Sequence, residues 1–204
     1  MTSKDFFNII KDDVIADMSK SGILASLTAA QAYLESGAGG SKLSQAPNYN
    51  LFGIKGSYAG QSVLMNTKEY VNGKYITVKA QFRKYPSWRE SIADHSDMLC
   101  RMKRYQNLIG ETDYKIACQK IQQDGYATSP TYSSSLIKVI EQYELYNWDL
   151  DKVVPDPELI AAVDVIARRV IKGDFGYGHD NRMLKIYELI RIRVNDILKL
   201  FRFE

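Results

Sequence analysis

The sequence predicts a mainly α-helical protein that carries one β-hairpin in its larger domain and ends in a small three-helix module. Apolar residues recur at helical spacing on both sides of two strand-like segments. An Asn-Gly pair separates those segments, and two prolines two residues apart precede the last helical stretch. The predicted boundaries are residues 1–150 for the larger domain, 151–157 for a linker and 158–204 for the module.

The composition is that of a globular protein with a small positive charge. Of the 204 residues, 45% are hydrophobic and 25% are charged, and the formal net charge is +3. These values exclude a disordered tail, and no concentrated basic stripe for nucleic acid is present. The longest mainly apolar stretch, residues 22–34, is shorter than the roughly 20 apolar residues that cross a bilayer. Cys100 and Cys118 are too few for a disulfide framework, and their pairing is left open.

The first helix predicted by periodicity stops at a run of small residues. Ile23, Leu27, Ala30 and Leu34 recur at helical spacing. Residues 37–40 read Gly-Ala-Gly-Gly, a sequence that ends a helix. The last turn of this helix therefore lies just before residue 37.

A β-hairpin is the clearest local prediction. Residues 63–71 and 74–82 are strand-like runs, and the Asn-Gly pair between them is preferred in two-residue type I′ turns. Such a turn places Val71 opposite Lys74 and Glu69 opposite Ile76.

Three helices are predicted after the hairpin. Pro86 opens a long one, a second covers residues 113–123 and ends at Gly125, and a third covers 132–143. The residues expected on the apolar face of the long helix are Trp88, Ile92, His95, Leu99 and Met102.

Glu35 is the first candidate catalytic residue because it lies at the predicted end of the first helix. A helix C-terminus carries about half a negative charge, which disfavours a glutamate anion and raises the pKa of the carboxyl group. A raised pKa suits a general acid near neutral pH, and the small residues that follow leave room for a polymer. The alternative is an exposed glutamate without a function.

Glu69 is the second candidate. Strand alternation places it on the face of Val71, opposite Ile76 and Val78, which is unusual for a carboxylate on a surface hairpin. The alternative is an edge charge that prevents sheet association.

His95 lies on the apolar face of its helix and is interpreted as a core histidine. No metal site is expected, because metal ligands at suitable spacing are missing.

Two carboxylates, one at a helix end and one on a hairpin, are the catalytic parts of a glycosidase. The residues around them resemble the bacterial and phage glucosaminidases of glycoside hydrolase family 73, which cut the glycan strands of peptidoglycan. The resemblance covers residues 5–148 in the family's order. The segments that carry it are AQAYLESG at 30–37, SKL at 41–43, NLFGIK at 50–55, EYVNGK at 69–74, FRKY at 82–85, SIADH at 91–95 and YAT at 126–128.

This resemblance implies a lysozyme-like α-helical lobe with a small β-lobe. Glu35 occupies the position of the family's general acid, and Glu69 that of a second carboxylate found in many members. The resemblance further implies groove residues, with the acetamido sugar near Tyr126 or Tyr132 and the floor shaped by Asn50 and Phe52. Ser129 replaces an Asp that members often have, so a role tied to that carboxylate is not carried over.

The chemistry implied by the resemblance starts with proton transfer from Glu35 to the leaving glycosidic oxygen. Glu69 then either activates water from the opposite face or stabilises charge. In the second case the substrate's own acetamido group acts as the nucleophile. Both mechanisms stay open, and neither requires a metal or an organic cofactor.

The C-terminal module resembles one copy of the CW_7 cell-wall-binding repeat of phage lysins, a three-helix bundle that holds muropeptides. The resemblance runs over residues 165–195, with Phe175 where Trp is usual. Asp174, Phe175 and Arg182 are the residues expected to bind the cell wall. The alternative is a helical cap that only packs on the catalytic lobe.

The leading hypothesis is a phage or prophage endolysin that acts as an endo-β-N-acetylglucosaminidase on peptidoglycan glycan strands and muropeptides. An N-acetylmuramidase is the alternative within the enzyme class, and a catalytically silent wall-binding protein is the alternative outside it. A DNA-binding module ranks last because residues 151–204 hold ten basic and nine acidic residues. Neither nucleic acid nor a membrane is an expected partner, and the oligomeric state is left open. The N-terminus lacks the apolar segment of a signal peptide, so the expected location is the host cytoplasm until lysis, or the virion.

Overall fold

The computed structural model describes the backbone of residues 1–71 and 74–152, with side chains other than those at 68–71, 75, 151 and 152. The chain divides into two units, Met1–Lys152 and Val153–Glu204, and the first contains all of the described residues. The predicted module at 158–204, with Asp174, Phe175 and Arg182, lies outside the described residues, as does the linker beyond residue 152. Its boundaries and binding residues stay predictions.

The described part is mainly helical with a two-stranded antiparallel sheet, which confirms the predicted fold class for this part of the chain. Two short 3₁₀ helices, Lys103–Leu108 and Leu145–Lys152, complete it. The elements in chain order are α1 (Ser3–Ser21), α2 (Ala25–Ser36), β1 (Ser62–Val71), β2 (Lys74–Arg83), α3 (Trp88–Arg101), α4 (Tyr114–Gln123) and α5 (Tyr132–Gln142).

The first helix, α1, is absent from the sequence interpretation, although its signals are present. Thr2 and Asp5 form a capping box, in which the Thr2 hydroxyl accepts from the Asp5 amide and the Asp5 carboxylate accepts from the Thr2 amide. Gly22 adopts a left-handed conformation and ends the helix. Its fully buried core residues recur every four positions: Phe6, Ile10, Val14 and Met18.

The helix α2 forms the centre of the lobe and begins and ends close to the predicted positions. Because it contacts α1, α3, α4, α5 and the last 3₁₀ helix, it is buried on most sides, as expected for a helix without a polar face. Its buried residues are Ala25, Ser26, Leu27, Thr28, Ala29, Ala30, Gln31, Ala32 and Ser36.

The hairpin has the predicted register. Val71 pairs with Lys74 and Glu69 pairs with Ile76, which is the pairing that a two-residue turn dictates. The turn residues at 72 and 73 lie outside the described residues. Along β1, half-buried and exposed residues alternate, with Val63, Met65 and Thr67 half-buried and Leu64 and Asn66 exposed.

The later helices agree with the sequence prediction except at one end. Ser87 caps the start of α3, and Asp113 caps the start of α4. Met102 lies one residue beyond α3 and is exposed, so its predicted place on the apolar face is wrong.

Cys100 and Cys118 are both free thiols. In the part of the chain that the structure describes, no helix is long and apolar enough to cross a membrane.

Candidate active site

Glu35 lies where the buried helix α2 reaches the surface. It is the single charged residue within Ala25–Ser36, and it is exposed although most of that helix is buried. At the other end of α2, the Ser26 amide donates to Asp149 Oδ1 over 2.8 Å and the Ser26 hydroxyl donates to Asp149 Oδ2 over 2.6 Å. A carboxylate at a helix N-terminus satisfies free amides and is favoured by the helix dipole. The last 3₁₀ helix therefore fixes the start of the helix that carries Glu35.

The turn after Glu35 is held by Ser36 and glycine. The Ser36 hydroxyl donates to a carbonyl one turn earlier and accepts from the Gly39 amide over 2.7 Å. Gly37 has a φ of 60° and no atom within 4 Å of an added Cβ, so the space beside it is open. At Gly39 an added Cβ would lie 2.9 Å from the Trp88 ring. The prediction that the small residues leave room is therefore correct at Gly37 and wrong at Gly39, where the missing side chain allows close packing.

A chain of hydrogen bonds leads to the Glu35 carboxyl group. The Tyr132 hydroxyl donates to Glu35 Oε1 over 3.0 Å. The buried Gln31 side chain donates to the same hydroxyl through Nε2 over 3.2 Å. Gln31 lies one helical turn before Glu35 on α2, so both project from the same side of the helix. The two interactions hold Tyr132 against the candidate acid.

The pKa of Glu35 is raised above its ordinary value of 4.5. Although part of the Glu35 side chain is exposed, the main cause is partial desolvation, because the protein atoms packed around the carboxyl group disfavour its charged form. The hydrogen bond from Tyr132 acts in the opposite direction, since it stabilises the carboxylate. The direction agrees with the sequence prediction, but burial rather than the helix end is the principal cause. A solvent-accessible carboxyl group with a raised pKa can hold a proton and deliver it to a ligand.

Tyr126 lies beside this pair with His95 behind it. The Tyr126 and Tyr132 rings are stacked, with centroids 5.8 Å apart and an interplanar angle of 16°. The Tyr126 hydroxyl oxygen lies 3.1 Å from His95 Nε2, and the His95 ring stacks on Phe52 at 3.8 Å. Both candidate tyrosines therefore lie at the Glu35 site, whereas Phe52 is buried and contacts the site through His95.

Asn50 organises the loop at residues 50–54 through its side-chain amide. Its Nδ2 donates to the carbonyl oxygens of Ile54, over 3.0 Å, and Arg83, over 2.8 Å. Its Oδ1 accepts from the Ile54 amide over 3.1 Å. Because Asn50 is 1% exposed and its donors are engaged, it holds this loop against β2, and its predicted role at the floor of a groove stays a prediction.

An ion pair fastens the base of the hairpin to α3. Arg83, the last residue of β2, pairs with Asp94 of α3, and the Tyr85 hydroxyl donates to the same Asp94 oxygen over 2.7 Å. Burial raises the pKa of Tyr85 well above its usual value, and the Asp94 charge acts in the same direction. The hydroxyl therefore stays protonated as a donor. These contacts position the strand that pairs with the Glu69 region.

Glu69 itself is described only through the backbone. It lies in β1 opposite Ile76 in the described register, at a position two residues beyond Thr67. Its side chain lies outside the described residues, so its distance from Glu35 and its role stay a prediction.

The structure brings Glu35, Tyr126 and Tyr132 together and adds two residues to them. Gln31 is missing from the sequence prediction, although its i, i+4 spacing to Glu35 could have indicated it. His95 is present there only as a core residue, and no local pattern indicates its contact with a residue 31 positions later. Among the described residues, no group of three or more His, Cys, Asp or Glu side chains could hold a metal ion.

Comparison with known proteins places these features in a family context. The family described as mannosyl-glycoprotein endo-beta-N-acetylglucosaminidase matches residues 11–145. The exo-glucosaminidase LytG of Bacillus subtilis (strain 168) is 41% identical over 132 residues, which cover 62% of this chain and 46% of that protein. A probable N-acetylmuramidase of Lactococcus lactis subsp. lactis (strain IL1403) is 40% identical over 136 residues, covering 63% of this chain and 30% of that protein. The chain thus spans less than half the length of these two relatives.

A solved structure shows the same fold. The catalytic domain of the autolysin Auto from Listeria monocytogenes is similar at a TM-score of 0.69 and 39% sequence identity. The similarity covers 72% of this chain and 87% of that domain. The helical lobe and the hairpin described above therefore correspond to a known catalytic domain.

Proposed function

Since the chain belongs to the glucosaminidase family, we propose that it is a peptidoglycan hydrolase that cuts the glycan strand as an endo-β-N-acetylglucosaminidase. The observation that carries this proposal is the environment of Glu35. A carboxyl group whose pKa is raised by burial lies beside open space, with a tyrosine hydroxyl on one of its oxygens. This arrangement suits the general acid of a glycosidase.

In the proposed reaction, Glu35 gives its proton to the glycosidic oxygen while the bond from that oxygen to the anomeric carbon breaks. Positive charge then develops on the sugar ring, and water adds to the anomeric carbon. Once Glu35 is a carboxylate, the Tyr132 hydroxyl stabilises it through the 3.0 Å hydrogen bond. Gln31 supports this step by donating to the Tyr132 oxygen.

The second half of the reaction has two candidate routes. In the first, Glu69 takes the proton of the attacking water. In the second, the acetamido oxygen of the substrate attacks the anomeric carbon and Glu69 stabilises charge. The two routes differ in the configuration of the released sugar, because direct attack by water inverts it and attack through the acetamido group retains it. NMR of the anomeric proton in the first minutes of the reaction distinguishes them.

Cleavage of the alternate bond is the second candidate activity. A relative that is 40% identical is named as a probable N-acetylmuramidase. A muramidase cuts the other glycosidic bond of the same glycan strand. The test digests purified peptidoglycan, reduces the new ends with borohydride and identifies them by mass spectrometry. Reduced N-acetylglucosamine ends support the glucosaminidase, whereas reduced muramic ends assign the muramidase activity.

For residues 158–204 we propose wall binding, with Asp174, Phe175 and Arg182 in contact with muropeptides. The support is the resemblance of residues 165–195 to the CW_7 repeat of phage lysins. An endolysin that stays in the host cytoplasm until lysis, or travels with the virion, is the corresponding biological role. Sedimentation of the full chain with purified walls tests the binding, and an Arg182→Ala variant that sediments as well as the parent contradicts it.

A catalytically silent wall-binding protein remains the contrasting function. It requires wall binding without any new reducing ends from several wall types. The presence of Glu35, with Tyr132 hydrogen-bonded to it, favours the enzyme.

A further inference from the structure

His95 is buried, as a core histidine would be, but its ring also contacts Tyr126 at the Glu35 site. It is 0% exposed on α3, with its ring stacked on Phe52 at 3.8 Å and 10°. Its Nε2 lies 3.1 Å from the Tyr126 hydroxyl oxygen. The Tyr126 ring in turn stacks on Tyr132, which donates to Glu35. One imidazole nitrogen therefore contacts a groove residue directly.

The other nitrogen of His95 has no such partner. Nδ1 is buried and has no hydrogen-bond partner among the described residues. Burial lowers the pKa of His95 to about 3, so the ring is neutral and carries one proton. That proton lies either on Nε2, facing Tyr126, or on Nδ1, where nothing accepts it.

The two tautomers differ in which buried group stays unpaired. With the proton on Nδ1, a buried N–H group has no acceptor, which is rare in folded proteins. With the proton on Nε2, the unpaired group is a lone pair, which is the more common situation for buried acceptors. The Nε2–H tautomer is therefore favoured, and His95 donates to the Tyr126 oxygen.

The direction of this hydrogen bond determines whether the Tyr126 hydroxyl can donate to a ligand. When its oxygen accepts from His95, its own proton must point elsewhere. Among the described residues, Tyr126 has no other hydrogen-bond partner, so the proton has no protein acceptor there. Burial keeps the pKa of Tyr126 well above its usual value, so the hydroxyl does not ionise. Tyr126 is half-buried, so solvent can accept this proton in the free protein and a ligand oxygen can take its place in a complex.

We propose that His95 is a positioning residue that fixes Tyr126 as a hydrogen-bond donor to a carbonyl or hydroxyl oxygen of the bound sugar. This inference rests on the proposed function, because it assumes that the groove beside Glu35 receives an N-acetylated glycan. The proposal excludes the opposite assignment, in which Tyr126 donates to His95 Nε2. In that opposite case the Tyr126 oxygen would offer the substrate only an acceptor and would favour substrate N–H groups.

The tautomer is tested without any substrate by ¹⁵N NMR of the full chain labelled at histidine. His179 is the other histidine of the sequence, and a His179→Gln variant assigns the signals. We expect the His95 Nε2 to carry the proton throughout the range from about pH 5 to 8, and its shift to change in Tyr126→Phe. A proton on Nδ1, or a charged ring in this range, overturns the proposal.

The functional consequence is tested with His95→Leu, which removes the donor, and His95→Gln, which retains an amide donor near Nε2. We expect His95→Leu to lower kcat/KM about tenfold, the size associated with one hydrogen bond, and His95→Gln to restore most of it. In a Tyr126→Phe background, His95→Leu should have no further effect. Losses that multiply in the double variant, with circular dichroism unchanged, show that His95 supports packing alone and contradict the proposal.

The two experiments separate this inference from the proposed function. If the parent chain releases no reducing ends from any wall type, the proposed function fails, and the NMR measurement still decides the tautomer. If the parent is active and His95 carries its proton on Nδ1, the inference fails and the proposed function stands. If His95→Leu does not fold, the comparison of His95→Gln with Tyr126→Phe and the NMR result remain decisive.

Discussion

The attachment of Asp149 to the start of α2 yields a quantitative stability prediction. The Asp149 carboxylate accepts two hydrogen bonds from Ser26, which is 0% exposed. Replacing Asp149 by Ala leaves the Ser26 amide and hydroxyl buried without an acceptor. A hydrogen bond to a charged group contributes about 1.5–3 kcal/mol, and a carboxylate at a helix N-terminus adds about 0.3–1 kcal/mol. Because both bonds share one carboxylate, we expect Asp149→Ala to lower the free energy of unfolding by about 3 kcal/mol.

Urea denaturation of the full chain, followed by far-UV circular dichroism, measures this change. For a chain of this length, about 3 kcal/mol corresponds to a fall in Tm of about 6–12 °C. Asp149→Asn retains an acceptor oxygen and should cost only about 1 kcal/mol. The matched control is Asp97→Ala, which removes an exposed i, i+4 ion pair to Arg101 and should cost less than about 0.5 kcal/mol.

An Asp149→Ala variant that is no less stable than Asp97→Ala would contradict this role of the carboxylate. A loss below about 1 kcal/mol would mean that water replaces the carboxylate at Ser26. In that case the position of Glu35 would not depend on the far end of its helix. If the stability falls as expected, activity measured well below the lowered Tm should still be present, because Asp149 binds Ser26 at the opposite end of α2 from Glu35.

Three further changes have expected outcomes. Burial raises the pKa of Glu35 and the hydrogen bond from Tyr132 lowers it. Tyr132→Phe should therefore raise this pKa further and move the basic limb of the pH profile of kcat/KM to higher pH. A basic limb that stays in place contradicts this expectation. Burial raises the pKa of Asp17 from 3.8 to about 6. Between these two pH values the Asp17 carboxyl group is protonated in the folded state and ionised in the unfolded state. The free energy of unfolding should therefore fall as the pH rises through this window. Asp17→Asn should abolish this slope in thermal melts, and an unchanged slope would show that another group causes it. Asn50→Ala removes the partner of the Ile54 amide and of the Arg83 carbonyl, whereas the Ile54 carbonyl still accepts from the Arg83 amide. The substitution should lower the free energy of unfolding by about 2–4 kcal/mol in urea titrations, and a loss under about 1 kcal/mol is the contrary result.

Local sequence signals predict the elements of this fold that depend on neighbouring residues. The Asn-Gly pair correctly predicts the register of the hairpin, because a two-residue turn leaves one pairing. The small residues after Glu35 correctly predict the end of α2. The helix α1 is missing from the prediction, although the sequence contains both its capping box at Thr2 and its four-residue spacing of apolar residues.

Contacts between distant residues are the part that the sequence does not reveal. The Glu35 site depends on Tyr132, which is 97 positions away, and α2 depends on Asp149, which is 123 positions from Ser26. Such contacts are fixed by how the helices pack, and no local pattern encodes them. His95 illustrates the consequence, because its place on an apolar face predicts burial correctly but does not indicate which hydroxyl its ring nitrogen meets.

The most direct test of the central claim compares Glu35→Gln with the parent on purified peptidoglycan. Glu144→Gln is the matched control, because Glu144 is an exposed glutamate of the same lobe and is not part of the site. A general acid contributes about 10²–10⁴-fold to the rate, so the account predicts that Glu35→Gln releases reducing ends at least about 100-fold more slowly, with an unchanged circular dichroism spectrum and Glu144→Gln at the parent's rate. A Glu35→Gln variant that retains more than about a tenth of the parent's rate would contradict the assignment of Glu35 as the acid.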